Sequence, residues 1–322
     1  MFIILISLLS GLLLLWLGGE GFVRGSVAVA VRLNVSQLMI GLTLVGFGTS
    51  LPELITSVTA ALAGTPGLAV GNIVGSNIAN VLLVLAVAAL IRPVNAQPEA
   101  FYRDATALAA ATVIGAAFIF FGDLGRIHGL ILLAGLSAYF VKVYLTEKQN
   151  SPAGKVLTGE AQVVESKPET WLMAIALVIG GLAAVIGGAW LFVSGATKLA
   201  LIWGVSETFI GLTVVAIGTS LPELVITGVA SLRGRSDVAL GNIIGSNMFN
   251  ILGVLGVTAL VVPFEVPPEL GTFDLLVMLA ATALLIISAA TGKRVTRWEG
   301  GGLLVCYVAF MLVRASTPTI LY

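Results

Sequence analysis

The sequence predicts an all-α polytopic membrane protein: ten transmembrane helices, arranged as two inverted five-helix repeats, with broken helices meeting at a midplane site. Three observations carry this prediction. The 322 residues are 58% hydrophobic and only 10% charged, with a mean hydropathy of +1.09, which leaves too little polar surface for a soluble core of this size. The apolar residues group into segments of span length, about 20 residues each. Two stretches 170 residues apart, GLTLVGFGTSLPEL at 41–54 and GLTVVAIGTSLPEL at 211–224, are nearly identical.

The ten segments run 2–31, 36–63, 68–91, 101–121, 127–145, 170–200, 206–230, 238–262, 272–291 and 299–315. The first begins MFIILISLLSGLLLLWLGG. It lacks the basic n-region and A-x-A cleavage site of a signal peptide, so it is read as a retained helix. The first and sixth segments exceed the length a span needs, which predicts tilt or a course partly along the interface. Between the fifth and sixth lies 146–169, TEKQNSPAGKVLTGEAQVVESKPE, with seven charged residues, two prolines and no apolar face. It reads as a flexible linker between the halves 1–145 and 170–322. Sorting the 16 basic residues by loop places 13 on one side and 3 (Arg126, Lys198, Arg314) on the other. The positive-inside rule then puts both termini outside and the linker in the cytoplasm. Formal net charge is zero, which gives no support for nucleic-acid binding. The single cysteine, Cys306, rules out an internal disulfide or a cysteine metal cluster. His128 borders a short connection and reads as interfacial. No obligate protein partner is indicated; the bilayer itself is the environment.

Residues 41–87 align with 211–257 without a gap, and 26 of 47 positions are identical. Each half has an odd number of spans, so the second copy enters the membrane from the opposite side. That is the inverted repeat of many secondary transporters, whose sites lie near the midplane. A duplication kept for packing alone would retain its apolar and small residues; here the polar ones are retained.

In the first copy, Pro52 lacks an N–H and crowds the carbonyl of Gly48, and Gly46 and Gly48 weaken the same turn. A break is predicted over 46–51. Non-helical backbone at membrane depth is tolerated only beside a polar cavity or inside protein. Thr49, Ser50 and Glu53 share one face at spacings of three and four. The second copy repeats the pattern with Ala216, Gly218, Thr219, Ser220, Pro222 and Glu223. A carboxylate at the centre of a span costs about 2.5–3.5 kcal/mol on insertion scales. Neither Glu53 nor Glu223 has a Lys or Arg at comparable depth, which argues against a structural ion pair.

The next helix carries Asn72, Ser76 and Asn80 in a polar stripe beside Gly71 and Gly75, mirrored by Asn242, Ser246, Asn250, Gly241 and Gly245. The glycines are expected to allow close helix contact. Asn77 and Asn247 point about 100° away from their serine neighbours. For them interhelical glue, worth about 0.6 kcal/mol, and bonding to the unwound backbone both stay open. Glu20 and Glu207 lie near span ends and read as interfacial. All the strong donors are oxygens, as Na⁺ and Ca²⁺ require; thiolate and imidazole are absent, against zinc or copper.

With GTSLPE followed by GNIxGSN in both copies, the chain resembles the cation/Ca²⁺ exchanger superfamily, in its prokaryotic Na⁺/Ca²⁺ exchanger (calcium/sodium antiporter) branch. The resemblance covers the whole chain. It implies a non-enzymatic secondary antiporter without cofactors, in the plasma membrane of a prokaryote, whose transported ions are Ca²⁺ and Na⁺. It implies that Glu53 and Glu223 are central acids shared by both ions, that Thr49 and Thr219 offer carbonyls to Ca²⁺, and that Ser50, Ser76, Ser220 and Ser246 flank as Na⁺ ligands. Gly46 and Ala216 match carbonyl donors one turn earlier. The first and sixth helices match the pair held to slide across the core. Asn80 and Asn250 stand where some exchangers have an aspartate, so the site carries −2 rather than −3. One Ca²⁺ balances that charge, and the family's three-to-one exchange would be electrogenic. H⁺/Ca²⁺ and K⁺-dependent Na⁺/Ca²⁺ exchange are alternatives of the same class, and a passive cation channel is one of a different class. An intramembrane aspartyl protease fits poorly, because its pair must be aspartates.

Overall fold

The computed structural model describes residues 1–33, 35–150, 170–203, 216–266 and 272–316. The linker residues 151–169, Glu207 and the first residues of the second repeat copy, 211–215, lie outside them. Among the described residues seven helices are long and apolar enough to cross a bilayer. They become eight when a pair bent by 42° counts as one broken span.

In chain order, α1 spans Phe2–Leu33. The bent pair is α2 (Gln37–Thr49) and α3 (Leu51–Leu62), followed by α4 (Pro66–Ile91). Next come β1 (Val94–Asn95), α5 (Pro98–Phe121), β2 (Asp123–Leu124) and α6 (Arg126–Asn150). α6 runs on to Asn150, where the sequence places the linker from 146; the linker's charged residues follow without a helix breaker before Pro152. The second half holds α7 (Trp171–Ile202), α8 (Ala216–Thr219), α9 (Leu221–Leu232) and α10 (Ser236–Val261). It closes with β3 (Phe264–Glu265), α11 (Thr272–Gly292), β4 (Arg294–Val295) and α12 (Arg297–Ser316).

The molecule is organised around α4 and α10, whose most apolar stretches are 78% and 89% buried. One apolar core joins them to α5, α6, α11 and α12. A second joins α1 and α7 to the outer faces of α2, α9 and the start of α10. α1 and α7 are antiparallel and meet backbone to backbone. A Cβ at Gly18 would lie 2.8 Å from the Gly181 carbonyl oxygen, and one at Gly188 2.8 Å from the Leu15 nitrogen. Gly11, Gly18 and Gly25 recur every seven residues and so share one face. The opposite face of α1 exposes Leu5, Leu9, Leu12, Leu13 and Trp16, as a lipid-facing helix does.

Among the described residues two short antiparallel ladders tie connections together: β1 with β4 (Val94 opposite Val295), and β2 with β3 (Leu124 opposite Phe264). Among them, too, three helices contain a π-helical turn, Gly41–Val45 in α2, Asn80–Leu85 in α4 and Phe249–Val254 in α10. Such wide turns recur at functional sites.

Candidate ion-binding site

The predicted break falls where proline chemistry requires it. α2 ends at Thr49, Ser50 leaves the helical region (φ −86°, ψ 6°), and α3 starts with Pro52 in its first turn. The second copy does the same at Ser220 (φ −91°, ψ 7°), with Pro222 opening α9. Glu53 and Glu223 therefore sit in the first turn of a helix, where unpaired N–H groups favour negative charge. Both glutamates are fully buried, as are Thr49, Ser50, Ser220, Ser246, Asn80 and Asn250; Ser76 is 4% exposed.

The structure brings the two copies together. The Glu53 charge and the Thr49 and Ser50 side chains lie within electrostatic reach of Glu223. The Ser76 hydroxyl reaches Glu53 Oε1 at 3.5 Å. Thr49 Oγ1 lies 3.0 Å from Ser246 Oγ and 3.3 Å from the Gly46 carbonyl oxygen, and the Ser246 hydroxyl is 3.4 Å from that same carbonyl. Gly46 makes this approach possible: a Cβ there would lie 2.8 Å from the Ser246 nitrogen. Thr219 is partly exposed, and α8 begins at Ala216.

Several of these oxygens have no protein donor among the described residues: Glu53 Oε2, both carboxylate oxygens of Glu223, Ser50 Oγ, Ser220 Oγ and Asn80 Oδ1, with both ends of the Asn250 amide also unpaired. Buried polar atoms are normally satisfied, and a buried carboxylate left alone is costly. Oxygens gathered around two acids, with no ion pair to either acid among the described residues, form a set that a hard cation satisfies. Among the described residues no three His, Cys, Asp or Glu side chains gather at one point, so the acids present are the two glutamates.

Sequence reasoning missed Ser57 and Thr227. Each stands one turn after its glutamate, on the same face. Asn72 Nδ2 donates to Ser57 Oγ at 3.0 Å and to the Glu53 carbonyl at 3.3 Å. Asn242 Nδ2 donates to Thr227 Oγ1 at 2.8 Å, which leaves its Oδ1 to accept the Thr49 hydroxyl at 3.1 Å. The available signal was a hydroxyl residue retained at the same place in both copies, Ser57 and Thr227. The expected close contact of the small-residue stripe holds for Gly241 and Gly245, which lie against α2. For Gly71 and Gly75 the equivalents of Gly41 and Leu42, residues 211 and 212, lie outside the described residues. Asn77 donates to Ile73 O of its own helix at 2.7 Å, whereas Asn247 reaches across to α4.

A multi-pass helical membrane protein with a buried, acidic, oxygen-lined site between two broken helices is a cation transporter in class. The family follows from comparison with known proteins. Residues 3–145 and 173–315 each match the model of the sodium/calcium exchanger protein family, and the chain belongs to that family of antiporters. It is 39% identical to a putative antiporter, CaxA, of Alkalimonas amylolytica, over 98% of this chain and all of that one. It is 35% identical to the sodium/calcium exchanger MaX1 of Methanosarcina acetivorans, over 95% of this chain and 97% of the relative. Its fold matches the solved sodium–calcium exchanger NCX_Mj, soaked with zero Na⁺ and Ca²⁺, with a TM-score of 0.82 and 32% identity over 97% of this chain and 99% of that one.

Proposed function

We propose that the chain exchanges Na⁺ for Ca²⁺ by alternating access at one shared site, in the sense of electrogenic Ca²⁺ extrusion from the cytoplasm of a prokaryote. The observation that carries the reading is the buried Glu53–Glu223 pair, with three carboxylate oxygens that no protein donor satisfies among the described residues. Glu53, Glu223 and the Thr49 and Thr219 carbonyls are assigned to Ca²⁺. Ser50, Ser76, Ser220, Ser246 and the Gly46 and Ala216 carbonyls flank it as Na⁺ ligands, and Asn80 and Asn250 line the middle. One Ca²⁺ neutralises the −2 of the site. With three Na⁺ per Ca²⁺ one net charge moves inward per cycle, which gains about 2.3 kcal/mol per 100 mV. Because both ions need the same carboxylates they cannot bind together, and this exclusion is the coupling.

The topology we infer is ten spans in two inverted halves, with both termini outside and 146–169 in the cytoplasm. In support, each short ladder joins two connections assigned to the same side, 94–95 with 294–295 inside and 123–124 with 264–265 outside. The family model also matches twice at the repeat's own offset, 3–145 and 173–315.

The test is uptake of radiolabelled Ca²⁺ into proteoliposomes under clamped voltage, with outward Na⁺, K⁺ or H⁺ gradients. Na⁺ alone is expected to drive uptake, and an inside-positive clamp is expected to speed it, because one net positive charge leaves the vesicle for each Ca²⁺ that enters. Glu53→Gln and Glu223→Gln are each expected to lower uptake by at least about 100-fold while the protein stays folded, since each removes half of the site's charge. Uptake driven by a pH gradient without Na⁺, an absolute K⁺ requirement, or Ca²⁺ flux without counter-ion would each replace this reading with another.

A further inference from the structure

An amide is a cation ligand through its oxygen and a repellent through its NH₂, so a neutral Asn in an ion site must be held the right way round. Four buried asparagines stand near the crossing of α4 and α10: Asn77 and Asn80 on one, Asn247 and Asn250 on the other. Their hydrogen bonds fix one of them. The Asn247 Nδ2 lies 3.4 Å from the backbone carbonyl of Asn77, which can only accept. The NH₂ of Asn247 must face that carbonyl, so its Oδ1 faces the other way. There it meets Asn80 Nδ2 at 3.0 Å, so Asn80 must present its NH₂ to Asn247. The remaining end of Asn80, its Oδ1, then points away from Asn247, and it has no protein partner among the described residues. The order of donors is thus set by a carbonyl whose chemistry admits one choice. On the other side the equivalent is not built: Asn77 Nδ2 turns back to Ile73 O at 2.7 Å, and neither end of the Asn250 amide has a partner among the described residues.

We infer that Asn247 is a positioning residue for ion exchange: anchored on the Asn77 carbonyl, it holds the Asn80 amide with its oxygen toward the transported cations. Asn247 itself touches no ion. The inference rests on the reading of the Glu53–Glu223 region as a Na⁺/Ca²⁺ site, and it deepens that reading by assigning one amide a fixed polarity and the residue that fixes it.

The experiment is a double-mutant cycle on Na⁺ and Ca²⁺ half-saturation in proteoliposomes, on the full chain. Asn247→Ala and Asn247→Leu remove the same two bonds, but Leu keeps the volume, so it separates lost orientation from a packing hole. Both are expected to raise the half-saturation concentration of at least one ion by about 10-fold, as loss of an outer-shell partner does. In an Asn80→Ala background both are expected to change it by less than about 2-fold, because the only route of action is gone. The inference is overturned if Leu restores wild-type affinity, if either substitution keeps its full effect without Asn80, or if Asn80→Ala leaves both ions' affinities unchanged. Should Asn247→Ala fail to fold, the Leu arm carries the same cycle. Failure of the underlying reading looks different: the unmodified chain shows no Na⁺-driven Ca²⁺ uptake, or Glu53→Gln retains it.

Discussion

The two copies of the repeat, 41–87 and 211–257, share 26 of 47 residues, yet they differ in sequence where α2 of the first copy meets α10. The backbone of α2 lies directly on α10. Gly41 and Gly46 face Gly241 and Gly245, and a Cβ on Gly245 would overlap the Leu42 carbonyl. The sequence differs at the same place, with Ala216 where the first copy has Gly46. A Cβ at Gly46 would lie 2.8 Å from the Gly245 and Ser246 backbone, so the residue that the second copy has at this place would not fit in the first.

Adding one methyl group to either side of this contact breaks or upholds the comparison, and it carries the largest effect. Gly245→Ala drives a Cβ into backbone, which cannot move aside as a side chain can, so it should cost about 1–3 kcal/mol or more. Thermal unfolding in detergent is expected to fall and Ca²⁺ uptake to be lost together. Gly46→Ala writes the second copy's residue into the first and meets the same contact from the α2 side, so it should cost a similar amount. Parent-like stability and uptake in Gly46→Ala would show that the difference between the copies has no packing consequence.

The break at Ser50 and Ser220 was legible because Pro52 and Pro222 remove a donor wherever they stand, a local effect independent of the rest of the fold. The gathering of Glu53, Ser76, Thr49 and Ser246 was legible because the repeat pairs each residue with a known counterpart. The π-helical turns were not. Nothing in NVLLVL or FNILGV distinguishes them from ordinary helix, and a wide turn is selected by packing around it. Beyond Asn80 a four-residue spacing no longer predicts a helix face, so the bond from Asn80 to Asn247 had no signature in the spacing. Asp104 and Asp274 also escaped notice. They stand 170 apart, outside the aligned repeat, and each is buried against an arginine: Asp104 with Arg103 at 2.7 Å, Asp274 with Arg314 at 3.1 Å. The Arg314 pairing ties the start of α11 to the end of α12.

A second, smaller difference concerns the hydroxyl behind each glutamate. Asn242 is fully buried and gives its NH₂ to Thr227 Oγ1. Asn72 is only partly buried and has the Glu53 carbonyl as well as Ser57 Oγ. Thr227→Val keeps the shape but leaves a buried NH₂ unpaired, at a cost of about 1–3 kcal/mol. It should also free Asn242 to turn away from Thr49 and weaken Na⁺ dependence. Ser57→Ala leaves Asn72 one acceptor and some access to solvent, so its cost should stay below about 1 kcal/mol. Unfolding midpoints and Na⁺ titrations of the two variants, read side by side, check the order. A larger loss at Ser57 would reverse the assignment of the tighter network to the second copy.

The smallest expected effect comes from a contact that exists in one copy only. Arg233, just past the end of α9, pairs with Glu20 on α1, its Nε 3.0 Å from Oε2. At the offset of 170 the equivalent positions are Ala63 and Trp190, so the other side can make no such pair. Arg233 is 58% and Glu20 32% exposed, and solvent-screened pairs are worth about 0–1 kcal/mol. Glu20→Gln should therefore shift stability by less than about 1 kcal/mol, and added salt should erase the difference from the parent. The pair nonetheless ties the α1–α7 unit to α9 on one side of the molecule alone. If it favours one access state, Glu20→Gln at low salt shifts the ion half-saturation measured from the two sides in opposite directions, as a change in state populations must. A shift in the same direction on both sides would instead place Glu20 in the ion path, where its partial exposure and its arginine partner give it no reason to be.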